Sequence, residues 1–451
     1  MDHLQAKASS AREGRLAAVR TELTALMRLA GPVVAARLGV MAMGLTDAIV
    51  VGRFSAVQLG YHALAWAPTS VMLTMAIGLL SGVQVMTARV LGEGRRGAAG
   101  AVLRRGLSYS LWVGIAAGIV LYLAGPPLMH VIGLEPDLAD GASAALKVFS
   151  LSLPAVAVGV AAASWLEGLS KPSPAAWLMW AANGVNLGLV LLLVPGSFGL
   201  PALGAVGGAW ATTGARTFLA AATLAYIALM PEARALGVFE KPPRDRAAEA
   251  EQRRIGFGAG SANFFEVAAF ASLNIFAGWI GTIAVAAWAI VLNVAAIIFM
   301  VPLGMGVAAA VRVGGAYGAS EPAAMRLRAL VAFAVTAAFA LIIALAVWPS
   351  AGLIVSVYSR DPAALALAAP ALALACLFLV PDALPVVAAQ FHAADQLHPG
   401  DDPAGLVAGD PQGPGRQRHR LGGDLRQLPG RRAAADPVLG AEPSGCMTSR
   451  Y

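Results

Sequence analysis

Long apolar runs separated by short polar segments make up the chain from residue 27 to about residue 390. A membrane-spanning helix needs about 20 apolar residues, and this pattern yields ten candidate runs. The predicted spans are 27–51, 60–88, 101–125, 143–166, 173–195, 204–230, 256–281, 284–311, 325–348 and 364–389. The pattern therefore predicts an all-α polytopic membrane protein with about ten transmembrane helices.

The composition agrees with a membrane protein. Of the 451 residues, 58% are hydrophobic and 13% are charged, with a mean hydropathy of +0.71; a soluble chain carries roughly a quarter charged residues. Two cysteines give no disulfide framework and no metal cluster. Because no enzyme or cofactor motif is present, we expect no enzymatic activity, no cofactor and no resident metal.

Positive charge is concentrated in alternate loops, which predicts the orientation. Basic loops stay in the cytoplasm, so we expect a bacterial-type cytoplasmic (inner) membrane protein with residues 1–26 as a cytoplasmic N-terminal segment. Spread between spans, the +7 net charge does not indicate nucleic-acid binding. The basic residues include Arg89, Arg95, Arg96, Arg104, Arg105, Lys171, Arg234, Lys241, Arg244, Arg246, Arg253, Arg254, Arg312, Arg326 and Arg328.

The chain also repeats itself at an offset of about 222 residues. Trp66 and Gly82 in the first half match Trp288 and Gly304 in the second. Six spans lie between the copies, and an even number keeps the topology, so the repeats are parallel. Parallel repeats around a central site are a transporter architecture. The predicted divisions are an N-lobe of six helices at 27–230, a cytoplasmic linker at 231–255 and a C-lobe of four helices at 256–390.

Three acids lie within or beside these apolar runs: Asp47, Glu266 and Asp382. A carboxylate in a bilayer is costly and usually faces a cavity, a partner or an ion. A buried carboxylate can exchange a proton for a metal ion or a cationic substrate, which is the chemistry of coupled transport. Each acid has a structural alternative as an interhelical hydrogen-bonding group.

Four asparagines are further candidates for polar groups in a cavity, although amides in membrane helices more often bind neighbouring helices together. Two histidines, His62 and His130, are expected to be solvated near the outer ends of spans. The asparagines are Asn183, Asn186, Asn274 and Asn293.

Four stretches have a distinctive pattern of glycine and polar residues: 43–52, 183–186, 199–212 and 301–314. These stretches resemble the MATE (multidrug and toxic compound extrusion) transporter family. The resemblance covers residues 27 to about 390 and implies twelve helices in two lobes around a large cavity. It also implies export of organic compounds driven by inward Na⁺ or H⁺.

The acids resemble those of the NorM-like branch of this family. Glu266, preceded by two phenylalanines, and Asp382 look like its cation site, and Asp47 looks like its N-lobe acid for proton or substrate coupling. Phe378 is a departure, since a tyrosine often stands there. The resemblance implies a secondary active antiporter, acting as a monomer on small organic, often cationic, compounds by alternating access. The alternatives are a lipid or lipid-precursor flippase of the same superfamily and an inactive, truncated membrane protein.

Residues 391–451 differ abruptly from the rest. They contain no apolar span and are rich in Gly, Pro, Asp and Arg, a composition typical of disorder. Because the resemblance and the repeat both require two more helices, we expect that a frameshift near residue 390 replaced them. The alternative is a genuine disordered tail.

Overall fold

The structure is a computed structural model that describes residues 2–131, 134–241, 245–358, 362–379, 381–385 and 387–388. At some positions inside these ranges, Asn274 among them, the side chain is outside the description, as is the whole predicted tail. The described residues form helices and turns, with no strand. The α-helices are α1 (Asp2–Phe54), α2 (Ala56–Leu80), α3 (Gly82–Gly92), α4 (Ala99–Val131), α5 (Pro136–Gly168), α6 (Ser173–Leu193), α7 (Gly204–Leu229), α8 (Arg246–Ile280), α9 (Thr282–Gly318), α10 (Pro322–Tyr358) and α11 (Pro362–Ala375).

The predicted spans fall on these helices. Within the described ranges, seven helical segments are long and apolar enough to cross a membrane, and α2 with α3 forms one of them. The predicted spans 204–230 and 256–281 are also helical, as α7 and α8. The last predicted span contains a shorter apolar helix, Leu365–Phe378. The all-α membrane architecture is therefore confirmed, whereas residues 389–451 lie outside the described part.

Helices α1 and α8 begin about ten residues or more before the predicted spans. The segment predicted at 1–26 continues into the first span as a single helix, α1, which accommodates Pro32. Helix α8 begins inside the predicted linker, where the Asp245 carboxylate accepts a hydrogen bond of 3.0 Å from the Ala248 amide. An aspartate at this position satisfies one of the free amides of a helix N-terminus.

The N-lobe has a closely packed core in which α4 and α5 run side by side. Trp165 of α5 is fully buried, and its indole nitrogen donates a 2.9 Å hydrogen bond to the Ala99 carbonyl. Gly114 of α4 lies so close to Pro154 that an added Cβ would be 2.6 Å from the proline Cα. Small residues allow this approach of membrane helices.

The two lobes contact each other through glycines that repeat the offset seen in the sequence. A Cβ at Gly82 of α3 would collide with α8 beside Gly256, and a Cβ at Gly304 of α9 would collide with Val34 of α1. Gly304 lies 222 residues after Gly82, and Gly256 lies 222 residues after Val34. Equivalent positions therefore form equivalent contacts, as parallel repeats related by a two-fold axis require.

Ion pairs join the lobes on the side of the basic loops. Glu22 of α1 pairs with Arg312 of α9 and, at 3.3 Å, with Arg328 of α10. Arg89 of α3 binds Glu251 of α8 at 2.8 Å. These pairs, together with the glycine contacts, close the interface between the lobes on this side.

The prediction that His62 is solvated was wrong. Its side chain is 4% exposed and packs edge-on against Phe149, with ring centroids 5.4 Å apart. The span is a helix that packs against α5 and α7, so a position near its outer end is covered by neighbouring helices.

Candidate functional site

Asp47 is the centre of a buried polar cluster in the N-lobe. Its side chain is 1% exposed. The Asn186 amide of α6 donates a 2.6 Å hydrogen bond to one carboxylate oxygen, and the Thr212 hydroxyl of α7 donates to the other. Each oxygen of the carboxylate thus has a donor, and the cluster connects three helices.

Arg216 supplies the positive charge of this cluster. It lies one turn beyond Thr212 on α7, is 7% exposed and interacts electrostatically with Asp47. Its guanidinium donates a 2.9 Å hydrogen bond to the Ser152 hydroxyl of α5 and lies 5.1 Å from the centroid of the Trp66 ring. Buried charges are stabilised by opposite charge nearby and by hydrogen bonds. Arg216 has both, although its guanidinium forms no direct ion pair with Asp47.

The other candidate asparagines have different surroundings. The Asn183 amide donates to the Gly39 and Met179 carbonyls at 3.0 and 2.9 Å, which joins α6 to α1. Asn293 is exposed, and its carbonyl accepts a 3.4 Å hydrogen bond from the Tyr358 hydroxyl. Asn274 lies on α8, and its side chain is outside the description. Of the three asparagines whose side chains are described, only Asn186 contacts a candidate acid.

In the C-lobe the structure brings Glu266 and Asp382 into electrostatic interaction, although 116 residues separate them in sequence. Glu266 is half-buried on α8, and Asp382 lies in a helical segment after α11. Two carboxylates that repel each other favour the binding of a proton or a cation between them. Phe378, the departure noted in the sequence, is 67% exposed.

An interlobe hydrogen bond lies close to Glu266. The Asn263 amide of α8 donates to the Thr74 carbonyl of α2 at 3.3 Å. Asn263 precedes Glu266 by three residues and so lies on the same side of the helix. The helix that carries Glu266 is thereby attached to the opposite lobe, which places this acid beside the boundary that moves when two lobes rock.

A cavity of about 100 Å³ lies inside the N-lobe. Its walls are mainly apolar and include Met43 and Trp66, but three charged residues line it: Arg37, Glu167 and Arg216. Sequence reasoning missed all three, because it searched the spans for acids and treated bases as loop signals. The signal was available, since an arginine inside an apolar run is as costly as an acid.

Comparison with known proteins decides the family. The family model MatE matches residues 32–192 and 259–396. A probable multidrug resistance protein NorM from Caulobacter vibrioides is 59% identical over 372 residues, which cover 82% of this chain and 79% of the relative. The chain belongs to the MATE family. Both matched regions contain the acids discussed above: Asp47 in the first, and Glu266 with Asp382 in the second.

More distant proteins agree on the MATE fold. The multidrug resistance protein PmpM from Pseudomonas aeruginosa is 31% identical over 375 residues, 82% of this chain and 78% of that protein. The crystal structure of the eukaryotic MATE transporter AtDTX14 superposes with a TM-score of 0.76 at 17% identity, covering 84% of each chain. An outward-facing multidrug resistance MATE transporter gives 0.75 at 19% identity, covering 83% of each chain. The two-lobe MATE fold is thus confirmed over most of the chain.

Proposed function

We propose that this protein is a secondary active multidrug efflux antiporter, which exports small organic compounds in exchange for Na⁺ or H⁺. The observation that carries the proposal is the pair of C-lobe acids, Glu266 and Asp382, which interact across a long stretch of sequence. The names of the relatives as multidrug resistance proteins support the same conclusion. We place the protein in the inner membrane with its N-terminus and basic loops in the cytoplasm, acting as a monomer.

The pair of acids would couple the two gradients. A proton or Na⁺ entering from outside relieves the repulsion between the carboxylates, and its release to the cytoplasm restores it. For a neutral compound, one charge moving inward across about 100 mV provides about 2.3 kcal/mol, which sustains a substrate gradient of about 50-fold. For a monovalent organic cation the two charges cancel, and the concentration gradient of the coupling ion drives the exchange. Asp47 would then couple the N-lobe to substrate or proton through its hydrogen bonds to Asn186 and Thr212.

Alternating access follows from the closed interface on the basic-loop side. The glycine contacts and the ion pairs of Glu22 and Arg89 hold the lobes together there. We propose that the structure is an outward-facing state, and that these contacts break when the site opens to the cytoplasm. The coupling cation would select between the two arrangements, because a ligand shifts an equilibrium by its differential affinity for the two states.

The test is ethidium efflux from cells that express the protein. Glu266→Gln and Asp382→Asn remove one charge each and should abolish export that depends on a Na⁺ or pH gradient. Glu240→Gln, an exposed acid outside the helices, is the matched control and should export normally. Full export by both C-lobe variants would refute the proposal, and no export by the unmodified chain would indicate an inactive protein.

A further inference from the structure

A second buried pair of charges lies in the N-lobe, separate from Asp47. Glu167, at the end of α5, is 4% exposed. Its nearest positive group is Arg37 of α1, whose Nη2 lies 4.0 Å from the Glu167 Oε1. The Arg37 side chain is 14% exposed. This pair joins two helices of the N-lobe inside the protein.

The pair is incomplete as a structural ion pair. Stable buried pairs of arginine and carboxylate form short, often bidentate hydrogen bonds of about 2.7–2.9 Å. Here the contact is single and long, and the second carboxylate oxygen of Glu167, Oε2, has no hydrogen-bond partner. The Nε of Arg37 also has none. A buried charged acceptor without a donor is costly, so a purely structural role leaves the arrangement unexplained.

Both residues line the N-lobe cavity. The remaining walls are mostly apolar, with Val40, Leu73 and Ile77 among them, and Arg216 over Trp66 also contributes. A volume of about 100 Å³ accommodates the ammonium end of an amphipathic compound and the carbon atoms next to it. The cavity therefore offers one buried anionic acceptor among apolar walls, with Arg37 and Arg216 as the basic residues of its lining.

We propose that Glu167 binds the protonated amine of a transported organic cation, and that Arg37 is the counter-ion from which Glu167 is released. This inference rests on the proposed function and names a second binding position within it. An N–H donor of the amine would bind the free Oε2, while the attached carbon chain would lie against the apolar walls. Arg37 competes for the same carboxylate and so balances the charge of Glu167 when no compound is bound.

Opposite effects of the two substitutions distinguish this binding site from a structural pair. Glu167→Gln removes the charge of the acceptor and should weaken amine binding by about 10- to 150-fold, the range for a hydrogen bond to a charged group. Arg37→Gln removes only the competitor and should strengthen binding by about two- to fivefold. A structural ion pair would give losses in both variants.

Fluorescence titration of the purified full chain in detergent provides the measurement, with three probes that share one fluorophore. Dansylcadaverine carries a primary ammonium, its N-acetyl form is neutral, and dansylglycine is an anion. We expect only dansylcadaverine to respond with opposite signs to the two substitutions. Glu240→Gln is the control for charge removal outside the helices, and Glu167→Asp keeps the charge in case Glu167→Gln does not fold.

Three results would overturn the inference. Dansylcadaverine affinity that is unchanged in Glu167→Gln and Arg37→Gln would exclude Glu167 as the acceptor. The same conclusion would follow from unchanged affinity in Glu167→Asp and Glu167→Gln. Weaker binding in both variants would assign the pair a structural role. Loss of dansylglycine binding in Arg37→Gln would make the site an anion site. Binding is measured without an ion gradient, so it does not depend on coupling through Glu266. If Glu266→Gln abolishes export but Glu167→Gln leaves dansylcadaverine affinity unchanged, the proposed function stands and only this inference is refuted.

Discussion

Replacing Asp47 by asparagine should destabilise the N-lobe, because it leaves Arg216 as a buried charge without its anionic partner. The asparagine can still accept a hydrogen bond from Thr212, but its amide nitrogen then faces the Asn186 amide, which donates to the carboxylate in the native chain. Removing one member of a buried ion pair in direct contact costs about 3–5 kcal/mol. Because Asp47 and Arg216 interact without direct contact and one hydrogen bond is retained, we expect a loss below this range, about 2 kcal/mol.

A double-mutant cycle measures how much of this loss belongs to the pair. Arg216→Gln removes the unpaired charge, so the double variant Asp47→Asn, Arg216→Gln should be more stable than the sum of the single effects by about 1 kcal/mol. The assay is reversible unfolding of the purified protein in mixed micelles, followed by circular dichroism. Asp137→Asn, at an exposed position, is the control and should change stability by less than about 1 kcal/mol.

The same variants separate the structural and functional roles of Asp47. If Asp47 takes part in coupling, the double variant should recover stability without recovering ethidium export. Additive effects of the two substitutions on stability would refute the assignment of Arg216 as the partner of Asp47. Recovery of both stability and export would show that the charge of Asp47 serves only the fold.

Three further predictions concern the contacts between helices. Glu22→Gln breaks the ion pairs to α9 and α10 and should open the interface between the lobes. In a variant without the two native cysteines, a cysteine introduced at Ser81 should then react faster with a membrane-impermeant maleimide added from the basic-loop side. An unchanged rate would show that these pairs do not hold the interface closed. Gly256→Leu places a side chain against the backbone of Leu79 and should abolish export while the protein remains monodisperse on size exclusion. The control Gly352→Leu, at a glycine with open space around it, should export normally. Asn183→Ala removes two hydrogen bonds to backbone carbonyls and should lower unfolding free energy by about 1–2 kcal/mol, with substrate affinity unchanged; a selective loss of affinity would instead assign Asn183 to the cavity.

The helical architecture was predictable because it depends on local hydrophobicity. An apolar run of about 20 residues has few alternatives to a membrane helix, so the described parts of the predicted spans lie on helices. Their ends were less accurate, since α9 and α10 end seven and ten residues later than predicted. The break between α2 and α3 at Ser81 was not predicted. It lies where α3 meets α8 of the other lobe, and such a contact is determined by residues distant in sequence.

The candidate site was predictable only in part. Asp47, Glu266 and Asp382 stand out because each is an acid within or beside an apolar run, and the structure brings the last two together. The partners of Asp47 did not stand out, since Thr212 and Asn186 resemble ordinary residues of helix packing. Arg37, Glu167 and Arg216 were missed because arginines were counted only between the spans, and because Glu167 follows the predicted end of its span. A search for every charged residue near a span, of either sign, would have found them.

The most direct test of the account is ethidium transport by the purified protein in liposomes under an imposed Na⁺ or pH gradient. The account predicts that gradient-driven transport disappears in Glu266→Gln and in Asp382→Asn, while both variants still bind ethidium and Glu240→Gln transports normally. Gradient-driven transport at the native rate in either C-lobe variant would contradict the assignment of this pair as the coupling site.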